Sequence, residues 1–148
     1  MTIFRKIRAL TAIVRACRNW PEIVAARLGR RDGGKVVCLR NGLTLGLKQS
    51  LQANWGQFFE SAVADVYRIA NHPADLIVDV GANMGGFSCL AAWTHPQARI
   101  FAFEPQADAA AVFRENLARN RLENVDLTEA PVTGDGRFVT RRSRWFEV

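Results

Sequence analysis

The stretch Leu76-Ile77-Val78-Asp79-Val80-Gly81-Ala82-Asn83-Met84-Gly85-Gly86-Phe87 constrains this chain more than any other. Leu76 to Val80 is apolar except at Asp79, and the β-branched Ile77, Val78 and Val80 suit a strand covered on both faces, as in parallel sheets. Gly81, Gly85 and Gly86 follow at once, so the backbone can turn sharply there and bring its N–H groups close to a ligand. A strand, a glycine turn and the start of a helix are expected, with Asp79 where the strand leaves the core. A small nucleotide-like molecule is the natural occupant of such a turn.

From Leu76 onward the hydrophobic period alternates between strand and helix. After Leu76–Val80 come a helix over about 85–93, a strand over 100–104, a helix over about 106–119 with Phe113 and Leu117 one turn apart, and a short strand near 125–128. Strands separated by helices of that size imply right-handed crossovers and a parallel sheet, hence an α/β, doubly wound, Rossmann-like fold. In open parallel sheets ligands sit outside the carboxyl ends of the strands, where both Asp79 and Glu104 fall. A carboxylate after the second strand is placed to accept both hydroxyls of a ribose. The plainer alternative is that Asp79 caps the turn and Glu104 is a turn acid before Pro105.

The turn discriminates between nucleoside cofactors. A dinucleotide fingerprint, Gly-x-Gly-x-x-Gly, uses its second glycine to admit a pyrophosphate, and Asn83 stands at that position here. A side chain there obstructs a pyrophosphate and offers an amide to a smaller zwitterionic group. S-adenosylmethionine joins such a group to an adenine ribose, and its sulfonium cation is attracted to a crevice lined by carboxylates. A nicotinamide-dependent oxidoreductase ranks behind this reading.

Upstream, Asn41-Gly42 between 36–40 and 43–47 favours a β-hairpin through a two-residue type I′ turn. Phe58, Phe59, Ala62, Val63, Val66, Tyr67 and Ala70 form an apolar stripe, so a helix is expected over 54–70. Ile3, Phe4, Ile7, Leu10, Val14 and Cys17 recur at helical spacing among Arg5, Lys6, Arg8, Arg15 and Arg18, which makes a basic amphipathic helix capped by Thr2. Packing on the domain and lying on an anionic membrane are both open to it. Trp20-Pro21 restarts a shorter helix. Residues 1–40 carry a net charge of +8 and residues 41–148 carry −2, an asymmetry that points to an anionic neighbour or a solvated basic face. The cluster over 30–34 divides a basic helical appendage, 1–34, from a domain over 35–148.

Cys17, Cys38 and Cys89 form neither a disulfide framework nor a metal motif, so a reducing, cytoplasmic compartment and no metal are expected. The uncharged run 80–98 contains Asn83, Ser88, Thr94, His95, Pro96 and Gln97 and does not read as a membrane span. No secretory signal stands out at the N-terminus. Ser88 lacks a Gly-x-Ser-x-Gly setting, and His72 and His95 sit beside prolines, so nucleophilic catalysis is unsupported. The basic tail after 140 has no nucleic-acid motif beside it, and no specific nucleic-acid partner is expected.

The blocks Val78-Asp79-Val80-Gly81-Ala82-Asn83-Met84-Gly85-Gly86-Phe87-Ser88 and Ile100-Phe101-Ala102-Phe103-Glu104-Pro105, with Asn116, Asn120 and Asn124-Val125, resemble the FkbM-type S-adenosylmethionine-dependent methyltransferases. The resemblance covers about 59–130, and Phe59-Glu60 echoes a family aromatic-Glu pair. It implies that Asp79, Gly81, Asn83 and Gly85 surround the methionine part, with Ala82 in the same turn, while Glu104, followed by Pro105, holds the ribose. Residues 129–130 would approach the adenine. The implied activity is methyl transfer to a hydroxyl of a small molecule or saccharide, with no catalytic base identifiable.

Family members continue with a fourth strand and an acidic segment that nothing after Ala130 matches. The expectation is therefore a class I methyltransferase sheet truncated after its third parallel strand, a Rossmann-like core over 76–130, and a short strand and basic tail over 131–148. The first strand would then be a sheet edge, open to self-association. A noncatalytic adenosyl-cofactor-binding or subunit-interaction protein is the alternative from another functional class.

Overall fold

The protein is described by a computed structural model whose described residues are 3–30, 34–48, 59, 63 and 67–134. The strand expected near 137–140, the tail after it, Thr2 and most of the helix expected over 54–70 lie outside them. The elements are helices α1 (Ile3–Ala16) and α2 (Trp20–Arg27), strands β1 (Val36–Cys38) and β2 (Thr44–Gly46), a 3-10 turn (Ile69–Asn71), β3 (Leu76–Val80), α3 (Gly86–Thr94), β4 (Arg99–Phe103), α4 (Ala107–Asn120) and β5 (Val125–Thr128).

The three later strands form a parallel sheet in the order β3-β4-β5, with Val80 opposite Phe103 and Phe103 opposite Thr128. Each crossover is a single helix, as the alternation of periods requires. Ile100, Ala102 and, from α4, Phe113 are fully buried, so the core lies where the helices cover the sheet.

The other face of β3 departs from expectation. Leu76, Val78 and Val80 are 59%, 57% and 61% exposed, so the described residues do not cover this strand on both faces. The run of β-branched residues specifies an extended backbone, whereas cover depends on what packs beside it, and β3 ends the strand order among the described residues.

The hairpin forms, but not around a two-residue type I′ turn. Leu39 N–H bonds to Leu43 O at 2.8 Å and Gly42 N–H to Leu39 O at 3.2 Å, leaving a three-residue loop in which Gly42 takes φ +104°. The physical reason is register. With Val37 opposite Leu45, the buried Val37, Leu39, Leu43, Leu45 and Leu47 share one face. A two-residue turn at Asn41-Gly42 would set Leu39 opposite Thr44 and split that set between faces.

An isolated two-stranded sheet is marginal, and its edges need partners. Asparagines supply them. On β1, Asn19 donates to Val36 O at 2.9 Å and accepts from Cys38 N–H at 3.0 Å. On β2, Asn120 accepts from Thr44 N–H and donates to Thr44 O, and Asn116 does the same with Gly46. Four residues of helix advance about 6 Å and two residues of strand about 6.8 Å, so side chains at i and i+4 of α4 match alternate peptides of β2. Ile13 and Cys17 of the first helical segment, Ile23 and Ala26 of α2, and the hairpin leucines belong to one buried cluster with the sheet.

Candidate active site

The turn between β3 and α3 is built by backbone bonds to the neighbouring strand. Gly81 and Ala82 N–H both donate to Phe103 O, at 2.9 and 3.0 Å, and Gly85 N–H donates to Ala82 O at 2.9 Å. Three residues take positive φ, namely Gly81 (+81°), Asn83 (+51°) and Gly85 (+79°). Asparagine tolerates the left-handed region better than most residues, which lets Asn83 hold the place of the missing glycine. Ala82 and Met84 are buried beneath the turn.

Glu104, one residue past β4, is 5% exposed. Its Oε2 accepts the Asn83 N–H and its Oε1 the Gln106 N–H, both at 2.8 Å. Hydrogen bonds to a carboxylate are about twice as strong as neutral ones, so Glu104 fixes the glycine turn against the β4–α4 loop. Pro105 lies exposed at the rim of that loop.

Asp79 is half-buried on β3, close enough to Glu104 to feel its charge. Burial pushes its carboxyl above the usual carboxylate range; a hydrogen bond from Ser88 opposes this, and the charge of Glu104 adds to it. The two carboxylates thus meet at one turn, as the strand ends required. Beside them begins α3, whose first-turn N–H groups lack carbonyl partners within the helix and favour negative or polar ligand groups.

Two contributors escaped sequence reasoning. Ser88, fully buried in α3, donates from Oγ to Asp79 Oδ2 at 2.6 Å and orients that carboxylate. Its signals were its place at the end of the resemblance-bearing block and a hydroxyl between Phe87 and Cys89 in a mostly apolar helix. Asn116, also fully buried, donates to Met84 O at 2.9 Å as well as to Gly46 O. Its Oδ1 accepts from Gly46 N–H at 2.6 Å and from Arg119 Nη1 at 2.8 Å, so every hydrogen-bonding position of the amide is used. The glycine turn, the hairpin and α4 are thereby joined through one side chain. Its occurrence among the resemblance-bearing asparagines was visible, but this role was not.

The two outer glycines of the turn differ in what surrounds them. A Cβ built on Gly81 meets no atom within 4 Å, and Gly81 itself is exposed. At Gly85 a Cβ would lie 2.0 Å from the Phe113 ring, so that glycine is required by the core. Open backbone at Gly81 and acids at the tips of β3 and β4 fit an adenosyl cofactor carrying an amino acid and a ribose.

No family model matches the chain. The methyltransferase sdnD of Sordaria araneosa is 49% identical over 55 residues, 36% of this chain and 21% of the relative. The 31-O-demethyl-FK506 methyltransferase FkbM of Streptomyces tacrolimicus is 42% identical over 50 residues, 34% of this chain and 19% of the relative. The chain thus spans about a fifth of the length of these curated relatives. Among solved structures, TYW2 from P. horikoshii in complex with MeSAdo aligns with TM-score 0.52 and 20% identity, covering 76% of this chain and 47% of that one.

Proposed function

We propose, from the premise that this chain is similar to methyltransferases and carries the Rossmann-like α/β fold of their class I type, that it binds S-adenosylmethionine for methyl transfer to a hydroxyl oxygen of a small molecule or saccharide. The observation that carries this reading is the meeting of Asp79 and Glu104 at the turn whose open corner is Gly81. In this reading Gly81 and Asn83 line the methionine part, with Ala82 and Gly85 behind them. Glu104 retains a lone pair on each oxygen beyond those used by Asn83 and Gln106, enough to accept ribose hydroxyls. Asp79, aimed by Ser88, faces the cationic end of the cofactor. When bound, the cofactor supplies an electrophilic methyl group. The chain's part is to hold its carrier in line with the acceptor oxygen, and positioning of that kind supplies much of a transfer rate.

The resemblance to FkbM favours oxygen over nitrogen or carbon as the acceptor. A cytoplasmic setting accords with three free cysteines, two of them buried, and among the described residues no helix is long and apolar enough to cross a membrane.

Calorimetric titration with S-adenosylmethionine, S-adenosylhomocysteine and NAD tests the proposal. Binding of the two adenosyl compounds and not NAD is expected, with at least a tenfold loss in Glu104→Gln, since a hydrogen bond to a charged group is worth about 1.5–3 kcal/mol. NAD binding alone overturns the cofactor assignment. Adenosyl binding with no transfer to any hydroxylated acceptor replaces the enzyme reading with the noncatalytic one.

A further inference from the structure

Helix α1 carries two faces that its packing does not use. Ile13 and Cys17 on one shoulder are buried, and Arg40 Nε reaches back to Val14 O, so the helix is fixed to the hairpin. At about 100° per residue, Leu10, Val14 and Ile7 follow one another around the next sector of the surface. Leu10 is 45% and Ile7 55% exposed. Arg15 and Arg8 occupy the sector beyond, and Arg18 follows in the turn after the helix, all three exposed. Among the described residues none of these arginines is paired with a carboxylate. Trp20, an amphipathic ring suited to a water–lipid boundary, stands 37% exposed at the start of α2.

We infer that α1 docks this protein on an anionic lipid surface, lying parallel to it with Ile7 and Leu10 in the acyl boundary and the arginines among the headgroups. Two independent features carry this. Residues 1–40 have a net charge of +8 while residues 41–148 together have −2 despite their basic tail, so the attraction to an anionic plane is strongest along that first segment. The exposed aliphatic stripe then chooses among anionic partners. A phosphate backbone gains nothing from Ile7 and Leu10, whereas a bilayer gains from every apolar group it covers. The inference is independent of any cofactor.

Vesicle flotation of the full chain tests it, with phosphatidylcholine vesicles against vesicles of phosphatidylcholine and phosphatidylglycerol. A cation at an anionic surface contributes about fivefold in partitioning, so at least a tenfold preference for the anionic vesicles is expected, falling as salt is raised. Ile7→Asp/Leu10→Asp and Arg8→Glu/Arg15→Glu should each abolish it. These side chains are exposed, and unchanged far-UV circular dichroism and melting temperature would show that both variants fold. Equal partitioning to the two vesicle types overturns the inference. So does anionic binding that survives Ile7→Asp/Leu10→Asp, or an oligonucleotide that both displaces the vesicles and binds that variant undiminished, which would assign the patch to nucleic acid.

Discussion

Gly81 and Gly85 stand at opposite ends of one turn with nearly the same backbone angle, φ +81° and +79°, and yet face opposite worlds. At Gly81 the space a side chain would take is open; at Gly85 it holds the ring of Phe113. The turn therefore has an open side, which the proposed function gives to the ligand, and a core side, and a shared conformational demand conceals two different reasons for glycine. Substitutions can separate those reasons.

The largest effect is expected from Gly85→Ala. The methyl group would overlap the fully buried Phe113, and the left-handed backbone adds its own penalty. Overpacking costs about 1–3 kcal/mol and the backbone roughly 1–2 kcal/mol, so a loss of about 3 kcal/mol or more is expected in urea unfolding. Rescue by shrinking the ring, in Gly85→Ala/Phe113→Leu, would sharpen the comparison. A Gly85→Ala protein of native stability would break it.

Asn116→Leu ranks next. It takes the Asn116 amide from the Gly46 N–H, the Gly46 carbonyl and the Met84 carbonyl, at about 1–3 kcal/mol for any of these that stays buried without water. Because Met84 belongs to the turn, cofactor affinity should fall together with stability, which paired melting curves and calorimetry would register.

Gly81→Ala inverts that pattern. Only the backbone penalty of roughly 1–2 kcal/mol applies to stability, whereas adenosyl affinity should drop by more than tenfold because the methyl group occupies the ligand's approach. If binding were untouched, Gly81 would not be the ligand side.

The smallest stability effect, and the only gain, is expected from Asp79→Asn. Burial holds the folded carboxyl above its ordinary value of 3.8, so the folded state retains a proton that the unfolded state has released. Stability of the ligand-free protein should therefore decline as pH rises from the ordinary carboxylate range through the raised folded value. Asp79→Asn should flatten that slope, raise the melting temperature at neutral pH and weaken S-adenosylmethionine binding about tenfold. Ser88→Ala should steepen the slope, since it removes the hydrogen bond that favours the charged form. Thermal melts across pH for the three proteins would check all of these signs.

Much of the molecule was legible beforehand because its signals are local. Leu76–Val80 and Val125–Thr128 were read with the bounds they have, since a change of hydrophobic period is written in adjacent residues. Asp79 and Glu104 were placed together because parallel strands in register put their carboxyl ends on one side. What failed depended on residues far apart in the chain. Asn41-Gly42 has the composition of a type I′ turn, but register was set by five leucines and valines sharing a face. Nor did any local pattern show that Phe113, distant in sequence, fills the space a side chain at Gly85 would take.

By itself the sequence determined the alternation of strand and helix, the place where the backbone must turn left-handed, and the two acids that the turn receives. Those properties follow from steric limits and periodicities acting over a few residues. The tertiary structure alone decided which glycine faces solvent and which the core, that Ser88 aims Asp79, and that Asn116 and Asn120 stand in for a missing strand beside β2. The serine and asparagine contacts are hydrogen bonds of 2.6 to 3.1 Å made only after the helices have packed, and no local pattern encodes which partner will arrive or which glycine will be left open.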